Sequence, residues 1–238
     1  MKNKHEIAIF LAARSGSRRL PKKHFLKINQ QINFIDLCIL RLKKTKLVKE
    51  IFLCTTKKKE DDKFKKVCKF HNINFFRGSN YNVAKRIIDC AKENKIENIV
   101  RITADCPIID PKIIDGCIRL YFKKKSEYTS NALKLSFPDG LDVEVVKLNS
   151  LIKSQKISRT KMNKEHVTLF IRRSKLFKKH NYKNSINYSD RRWTLDNWED
   201  YLFLKNVVNY FLPNIYFSWK DLIKFEKKNN FLINIKKR

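Results

Sequence analysis

Apolar and polar positions along the first half of the chain fall into blocks that read as strand, then helix, repeatedly. Residues 7–13 form a continuous apolar run, the pattern of a strand buried on both faces of a parallel sheet. Phe34–Leu42 spaces Phe34, Leu37, Cys38 and Leu42 along one helix face. Residues 50–56 read as a second buried strand, and 61–70 as a helix with Phe64, Val67, Cys68 and Phe70 turned inward. A short strand over 73–76 stops at Arg77-Gly78-Ser79, and a helix follows over 83–91. Asn98–Thr103 is a fourth strand, ending at Ala104-Asp105-Cys106-Pro107. Pro111 then opens a helix to residue 122, at a position where its missing N–H costs little. Strand–helix alternation with short connections implies an α/β fold with a right-handed, doubly wound, mostly parallel sheet.

From Tyr128 the pattern changes. Residues 141–146 alternate, as in an antiparallel strand with one apolar and one polar face. A helix is expected over 164–173, a strand over 191–195 and a helix over Trp198–Phe211. The stretch 128–190 therefore reads as a small antiparallel lobe inserted into a main domain of residues 1–212. Residues 213–238 read as an appended helix, beginning near Tyr216, with a basic tail.

Hydrophobic residues make up 42% of the 238 and aromatics 12%, enough for a real core and unlike a disordered chain. No apolar run approaches the ~20 residues of a membrane span. The first apolar run is too short, and too soon followed by Arg14, for a signal peptide. A soluble cytoplasmic protein with no membrane partner is expected. The net charge of +31 allows two readings: a nucleic-acid binder, or drift toward residues with AT-rich codons. The lysines are spread over the whole chain with no zinc finger or aromatic RNA-binding signature beside them. This favours drift and no specific nucleic-acid partner. The six cysteines form no C-x-x-C pair and mostly fall in apolar stretches, as buried free thiols do.

Ligands of open α/β sheets bind beyond the carboxyl ends of the strands. After the first strand, residues 13–23 place five cations, two hydroxyls and one glycine in a short loop. Small residues let backbone N–H groups approach phosphate oxygens, and Arg and Lys supply charge and donors. Arg provides three of the five cations where Lys dominates elsewhere. A phosphate-binding loop is the favoured reading over a merely solvated basic one, although it is neither a Walker A loop nor a dinucleotide fingerprint. After the fourth strand, Asp105 is a hard-oxygen ligand suited to Mg²⁺, or a turn residue. Asp196, ending a predicted strand before a helix, is either a second such ligand or an N-cap.

Taken together, these residues resemble the CMP-sugar synthetases, the KDO and acylneuraminate cytidylyltransferases, most of all the branch of the spore coat polysaccharide biosynthesis protein F. The resemblance rests on the loop Arg14-Ser15-Gly16-Ser17-Arg18-Arg19-Leu20-Pro21-Lys22-Lys23, Arg77-Gly78-Ser79, and Val100-Arg101-Ile102-Thr103-Ala104-Asp105-Cys106-Pro107. It continues through Tyr-x-Ser-Asn at 128–131, Pro-Asp-Gly-Leu-Asp-Val-Glu-Val at 138–145, Glu-His-Val-Thr at 165–168 and Thr-Leu-Asp at 194–196. The matches run in order from about residue 6 to 211.

The resemblance implies a Rossmann-like nucleotidyltransferase fold, a homodimer, and Mg²⁺-dependent transfer of a nucleoside monophosphate, usually from CTP, to a sugar hydroxyl. The acceptor would be a sugar acid. Arg14 and Lys23 match the family's triphosphate-binding Arg and Lys, with Ala13 and Ser17 beside them. Asp105 and Asp196 match its metal ligands, which makes Arg14, Lys23 and Asp105 the catalytic candidates. Arg77 and Ser79 fall where base and ribose are approached. Asn131, Asp139, Asp142, Glu144 and His166 fall on the acceptor side. His166 is equally readable as a general base, a sugar contact or a helix-surface residue. The chain departs from the pattern at Lys22 and Ala104, each usually Gly, and at Asn197-Trp198, usually Thr-Pro. None of these removes a charge that the chemistry needs. A sugar-1-phosphate nucleotidyltransferase usually opens with a Gly-Gly-rich loop, and a glycosyltransferase with an Asp-x-Asp motif after a strand. Both are missing here.

Overall fold

The computed structural model describes residues 7–48 and 50–228. Four parallel strands form the first half of the sheet: β1 (Ile7–Ala12), β2 (Ile51–Thr56), β3 (Asn74–Gly78) and β4 (Asn98–Thr103). Three more, β5 (Tyr128–Ser130), β6 (Glu144–Lys147) and β7 (Lys179–Asn181), continue the same sheet in the order β3-β2-β1-β4-β6-β5-β7. Strand β6 runs antiparallel to both β4 and β5, and β7 runs parallel to β5. The segment 128–190 thus extends the sheet instead of forming one of its own. Successive strands step outward from β1 to β3, then resume at β4 on the other side of β1. This reversal is a topological switch point, where α/β sheets bind ligands.

Helices cover both faces. On one face α1 (Phe34–Leu42), α2 (Lys63–Phe70), α4 (Pro111–Lys123), α8 (Trp198–Phe211) and α9 (Trp219–Lys228) pack Phe34, Leu37, Phe64, Ile114, Leu204 and Leu222 against Ile9, Leu11 and Val100. On the other, α3 (Val83–Glu93), α5 (Leu148–Ile157) and α7 (Leu169–Arg173) pack Ile87, Leu151 and Ile171 against Phe10, Phe52 and Ile99. The helix starts are written in the sequence. Asn33 and Asn197 form capping boxes with Asp36 and Asp200, Asn82 caps α3, and Asp110 caps α4 ahead of Pro111.

Several expected elements differ. The helix over 164–173 is two short helices, α6 (Lys161–Glu165) and α7, because Val167 takes a left-handed φ of 52° between them. That turn delivers the Thr168 hydroxyl to the Glu144 carboxylate. The strand over 191–195 is irregular chain joined to residue 139 by a single bridge. The ladder expected over 141–146 begins only at Glu144. Leu141, Val143, Val145 and Val146 are fully buried, so the apolar side of this segment is covered within one chain. Buried Arg41 fastens the chain ahead of α9, donating to the carbonyls of Ile109 (2.9 Å), Ile215 (2.6 Å) and Phe217 (2.9 Å). The basic tail beyond Lys228 lies outside the described residues. All six cysteines are buried free thiols. Among the described residues no helix is long and apolar enough to cross a membrane.

Candidate active site

The carboxyl ends of β1 and β4 meet at the switch point, and their loops supply the first charged contact. Lys23 starts a short 3-10 turn after the β1 loop and is only 8% exposed. Its ammonium lies 2.9 Å from Asp196 Oδ1 and 3.5 Å from Asp105 Oδ2. The Asp105 carbonyl accepts the Leu195 N–H at 2.8 Å, which anchors the segment that carries Asp196. Burial pushes the Asp105 pKa up, but the Lys23 charge and a Thr103 hydrogen bond outweigh it and leave the group below the usual range. Asp196 is held at about 2: burial opposes ionisation, while Lys23 and Arg192 favour it more strongly. Both carboxylates are therefore anionic at neutral pH.

A cleft of about 240 Å³ opens beside this pair. Asp105, Asp196, Asp139, Asp142 and Glu144 line it, with Arg101, Arg172 and Arg192 between them. Glu144 is buried and accepts hydrogen bonds from Arg101, from the Tyr128 hydroxyl at 2.6 Å and from Thr168. Burial raises its pKa, but Arg101 and these hydrogen bonds more than reverse the effect.

The remaining sequence candidates stand apart from this cleft. Arg14 is exposed and pairs with Glu165 at 3.5 Å. Ala13 is buried, donating to the Cys54 carbonyl at 3.2 Å, and Ser17 Oγ accepts the Leu20 N–H at 3.3 Å inside its own loop. Arg77 reaches the Thr56 and Lys57 carbonyls and pairs with Asp62 at 2.8 Å, while Ser79 Oγ accepts the Asn82 N–H. Asn131 is buried and bonds the backbone of Leu141 and Val143, so it braces the cleft wall. His166 sits exposed at the end of α6 and does not line the cleft.

Two contributors escaped the sequence reading. Arg192 lies at the centre of the acidic cluster, with Asp196 at 2.8 Å, Asp200 at 3.1 Å and Asp139 at 3.3 Å. Its signal was present: it stands four residues before Asp196, but as one basic residue among 54. Asp61 is fully buried and accepts the Ser15 N–H at 2.6 Å together with the Thr56 hydroxyl, clamping the β1 loop to the end of β2.

Asp105 and Asp196 suit Mg²⁺, being hard oxygen donors that converge on one ammonium. Among the described residues no cluster of three or more ligating side chains occurs. Mg²⁺ needs none, since it is typically held by one or two carboxylates plus substrate phosphates and water.

Comparison with known proteins bears on what this arrangement serves. The cytidylyltransferase family model matches residues 8–236. The chain belongs to the cytidylyltransferase family. A cytidylyltransferase of Leptospira borgpetersenii has a solved structure that superposes with a TM-score of 0.92 at 34% identity, covering 98% of each chain. The spore coat polysaccharide biosynthesis protein SpsF of Bacillus subtilis is 29% identical over 209 residues, 84% of this chain and 85% of its own. An uncharacterized protein of Methanocaldococcus jannaschii is 32% identical over 229 residues, 94% and 92% of the two chains. The fold is shared more distantly with a CMP:2-keto-3-deoxy-manno-octonic acid synthetase solved with CTP, at TM-score 0.65 and 10% identity over 87% of this chain and all of that one. In this cytidylyltransferase Lys22 adopts a left-handed φ of 54°, a conformation that glycine takes without strain.

Proposed function

We propose that this cytidylyltransferase activates a sugar, specifically a 2-keto sugar acid of the nonulosonic or KDO type, by transferring cytidine monophosphate from CTP with release of pyrophosphate. The product would serve surface polysaccharide synthesis. The observation that carries the reading is the meeting of Lys23, Asp105 and Asp196 at the switch point, beside a cleft of about 240 Å³. The name of the Bacillus subtilis relative, and the CTP held by the more distant synthetase, agree with it. A homodimer in the cytoplasm belongs to the same reading and rests on the family resemblance.

The sugar oxygen attacks the α-phosphorus in line with the departing pyrophosphate, so catalysis is chiefly positioning and charge neutralisation. Lys23 and Arg14 hold the phosphates that leave. Asp105 and Asp196 would hold Mg²⁺, which would neutralise phosphate charge and lower the pKa of the attacking hydroxyl. Asp139, Asp142 and Glu144 line the acceptor side and orient the sugar, with Asn131 bracing the wall behind them. Arg77 lies in β3 and Ser79 directly after it, where base and ribose would approach.

A pyrophosphate-release assay with the four nucleoside triphosphates, Mg²⁺ and a panel of sugars tests the reading. Release with CTP and a 2-keto sugar acid is expected. Release only with sugar 1-phosphates, or none with CTP, would refute it.

A further inference from the structure

All three nitrogens of Arg192 are committed to carboxylates. Nη2 contacts Asp196 Oδ2 at 2.8 Å and Asp200 Oδ2 at 3.1 Å, Nε contacts Asp200 Oδ1 at 3.3 Å, and Nη1 contacts Asp139 Oδ2 at 3.3 Å. Asp139 belongs to the acceptor side of the cleft and Asp196 to the Lys23–Asp105 side, so one side chain joins the two halves. We propose that Arg192 is the positioning residue of this site: it fixes the Asp196 carboxylate for the metal and nucleotide and couples it to Asp139. This rests on the assignment of Asp196 as a metal ligand.

The geometry supports the role in three ways. First, Arg192 and Arg19 hold Asp196 Oδ2, the latter at 3.1 Å, while Oδ1 faces Lys23. The terminal carboxylate torsion of Asp is broad. Without Arg192 Nη2 only the exposed Arg19 would hold Oδ2, and the carboxylate would be freer to turn. Second, the backbone around Arg192 is built to hold it. Asp139 N–H donates to the Arg191 carbonyl at 2.9 Å and Trp193 N–H to the Asp139 carbonyl at 2.7 Å. Gly140 permits this close pairing: its φ is 103°, and a Cβ there would stand 2.6 Å from the Trp193 carbonyl oxygen. Third, Asp200 is fully buried and also accepts the Asp196 and Asn197 N–H groups at 2.9 and 3.2 Å. Arg192 therefore rests on a fixed anchor at the start of α8. With every nitrogen bound to protein carboxylate, it orients others instead of reaching for substrate. Lysine cannot replace it, since a single ammonium lacks the planar fork that serves several oxygens at once.

The test is Mn²⁺ binding to the full chain with CTP present, followed by electron paramagnetic resonance, with thermal unfolding run on each variant. Arg192→Lys should weaken Mn²⁺ binding about 10- to 100-fold, as loss of an orienting partner typically does. Asp196→Ala serves as the reference and should weaken it at least as much. Asp139→Asn frees the guanidinium on one side only and should give a smaller loss in the same direction. Wild-type affinity in folded Arg192→Lys overturns the proposal while Asp196→Ala still shows a loss. Wild-type affinity in both shows that the metal assignment itself has failed, and the proposal falls with it. Should Arg192→Lys not fold, wild-type affinity in Asp139→Asn overturns the coupling.

Discussion

The Lys23 ammonium and Asp196 Oδ1 stand 2.9 Å apart although 173 positions separate them in the chain. The contact joins the β1 loop to the segment before α8 and separates the buried Lys23 from the exposed cations of the same loop. Lys22, its neighbour, is exposed, as is Arg18. Lys23→Ala should lower kcat and also weaken CTP binding, because charge on the departing phosphates rises in the transition state. Lys22→Ala and Arg18→Ala should alter little beyond salt dependence. Steady-state kinetics at fixed ionic strength separate the cases, and equal losses at Lys22 and Lys23 would point to diffuse charge instead.

Lys22 also offers a stability prediction. Its φ of 54° lies in the left-handed region, which costs a non-glycine residue about 1 kcal/mol or more. Lys22→Gly should raise the melting temperature by roughly 2–4 °C, the shift expected per kcal/mol in a chain of this size. Calorimetry that shows no rise would mean that the loop relieves the strain elsewhere.

Asp61 ties the β1 loop to β2, and its pKa gives a pH test. Burial pushes that pKa up, but hydrogen bonds from Thr56 and Ser15 outweigh it and hold it below the ordinary value. A folded pKa below the unfolded one, about 3.9, adds stability that is present above that value and lost as pH falls through the folded pKa. Asp61→Asn should therefore cost about 1–3 kcal/mol at pH 7. Its gap to wild type should narrow as pH drops below about 4. Urea unfolding at pH 7 and pH 3 reads the difference directly; a gap that stays constant would contradict it.

Glu226 of α9 is fully buried and accepts from Trp193 Nε1 at 2.8 Å and Arg191 Nε at 2.7 Å. It holds the segment that leads to Arg192 and Asp196. Glu226→Ala would leave Trp193 Nε1 without its acceptor and Arg191 with only the exposed Asp190, at a cost of about 1–3 kcal/mol. Glu226→Gln keeps an acceptor for Trp193 and should cost less. Denaturant midpoints of the two variants should rank in that order.

The alternating blocks of the first half were legible because strands buried on both faces and amphipathic helices carry strong periodicity, and β1 to β4 stand close to where the pattern put them. The second half was harder for physical reasons. β5 and β7 have three residues each, too few to show a period. The break between α6 and α7 depends on Val167 in a conformation that a β-branched residue seldom adopts. The segment 191–195 has a strand-like composition but is held by contacts to the 138–141 turn. At the site, Lys23, Asp105 and Asp196 could be found because they follow strands or match motifs. Arg192 and Asp61 contact other protein groups, and the four-residue spacing of Arg192 to Asp196 is too weak a signal to pick one basic residue out of 54. Leu141–Val146 misled in another way: its alternation suggested a plain polar face, whereas on that side Asp142 and Glu144 line the cleft and Val146 is buried.

The most direct test of the central claim is the turnover of Asp105→Asn and Asp196→Asn in CTP-dependent pyrophosphate release, measured with melting temperatures alongside. The two carboxylates are read as the metal-holding pair at the nucleotide. Either substitution should reduce kcat about 100-fold or more, the scale on which single transition-state-stabilising groups act, with the fold intact. Near-wild-type turnover in either folded variant would contradict the assignment of Asp105 and Asp196 as the centre of the site.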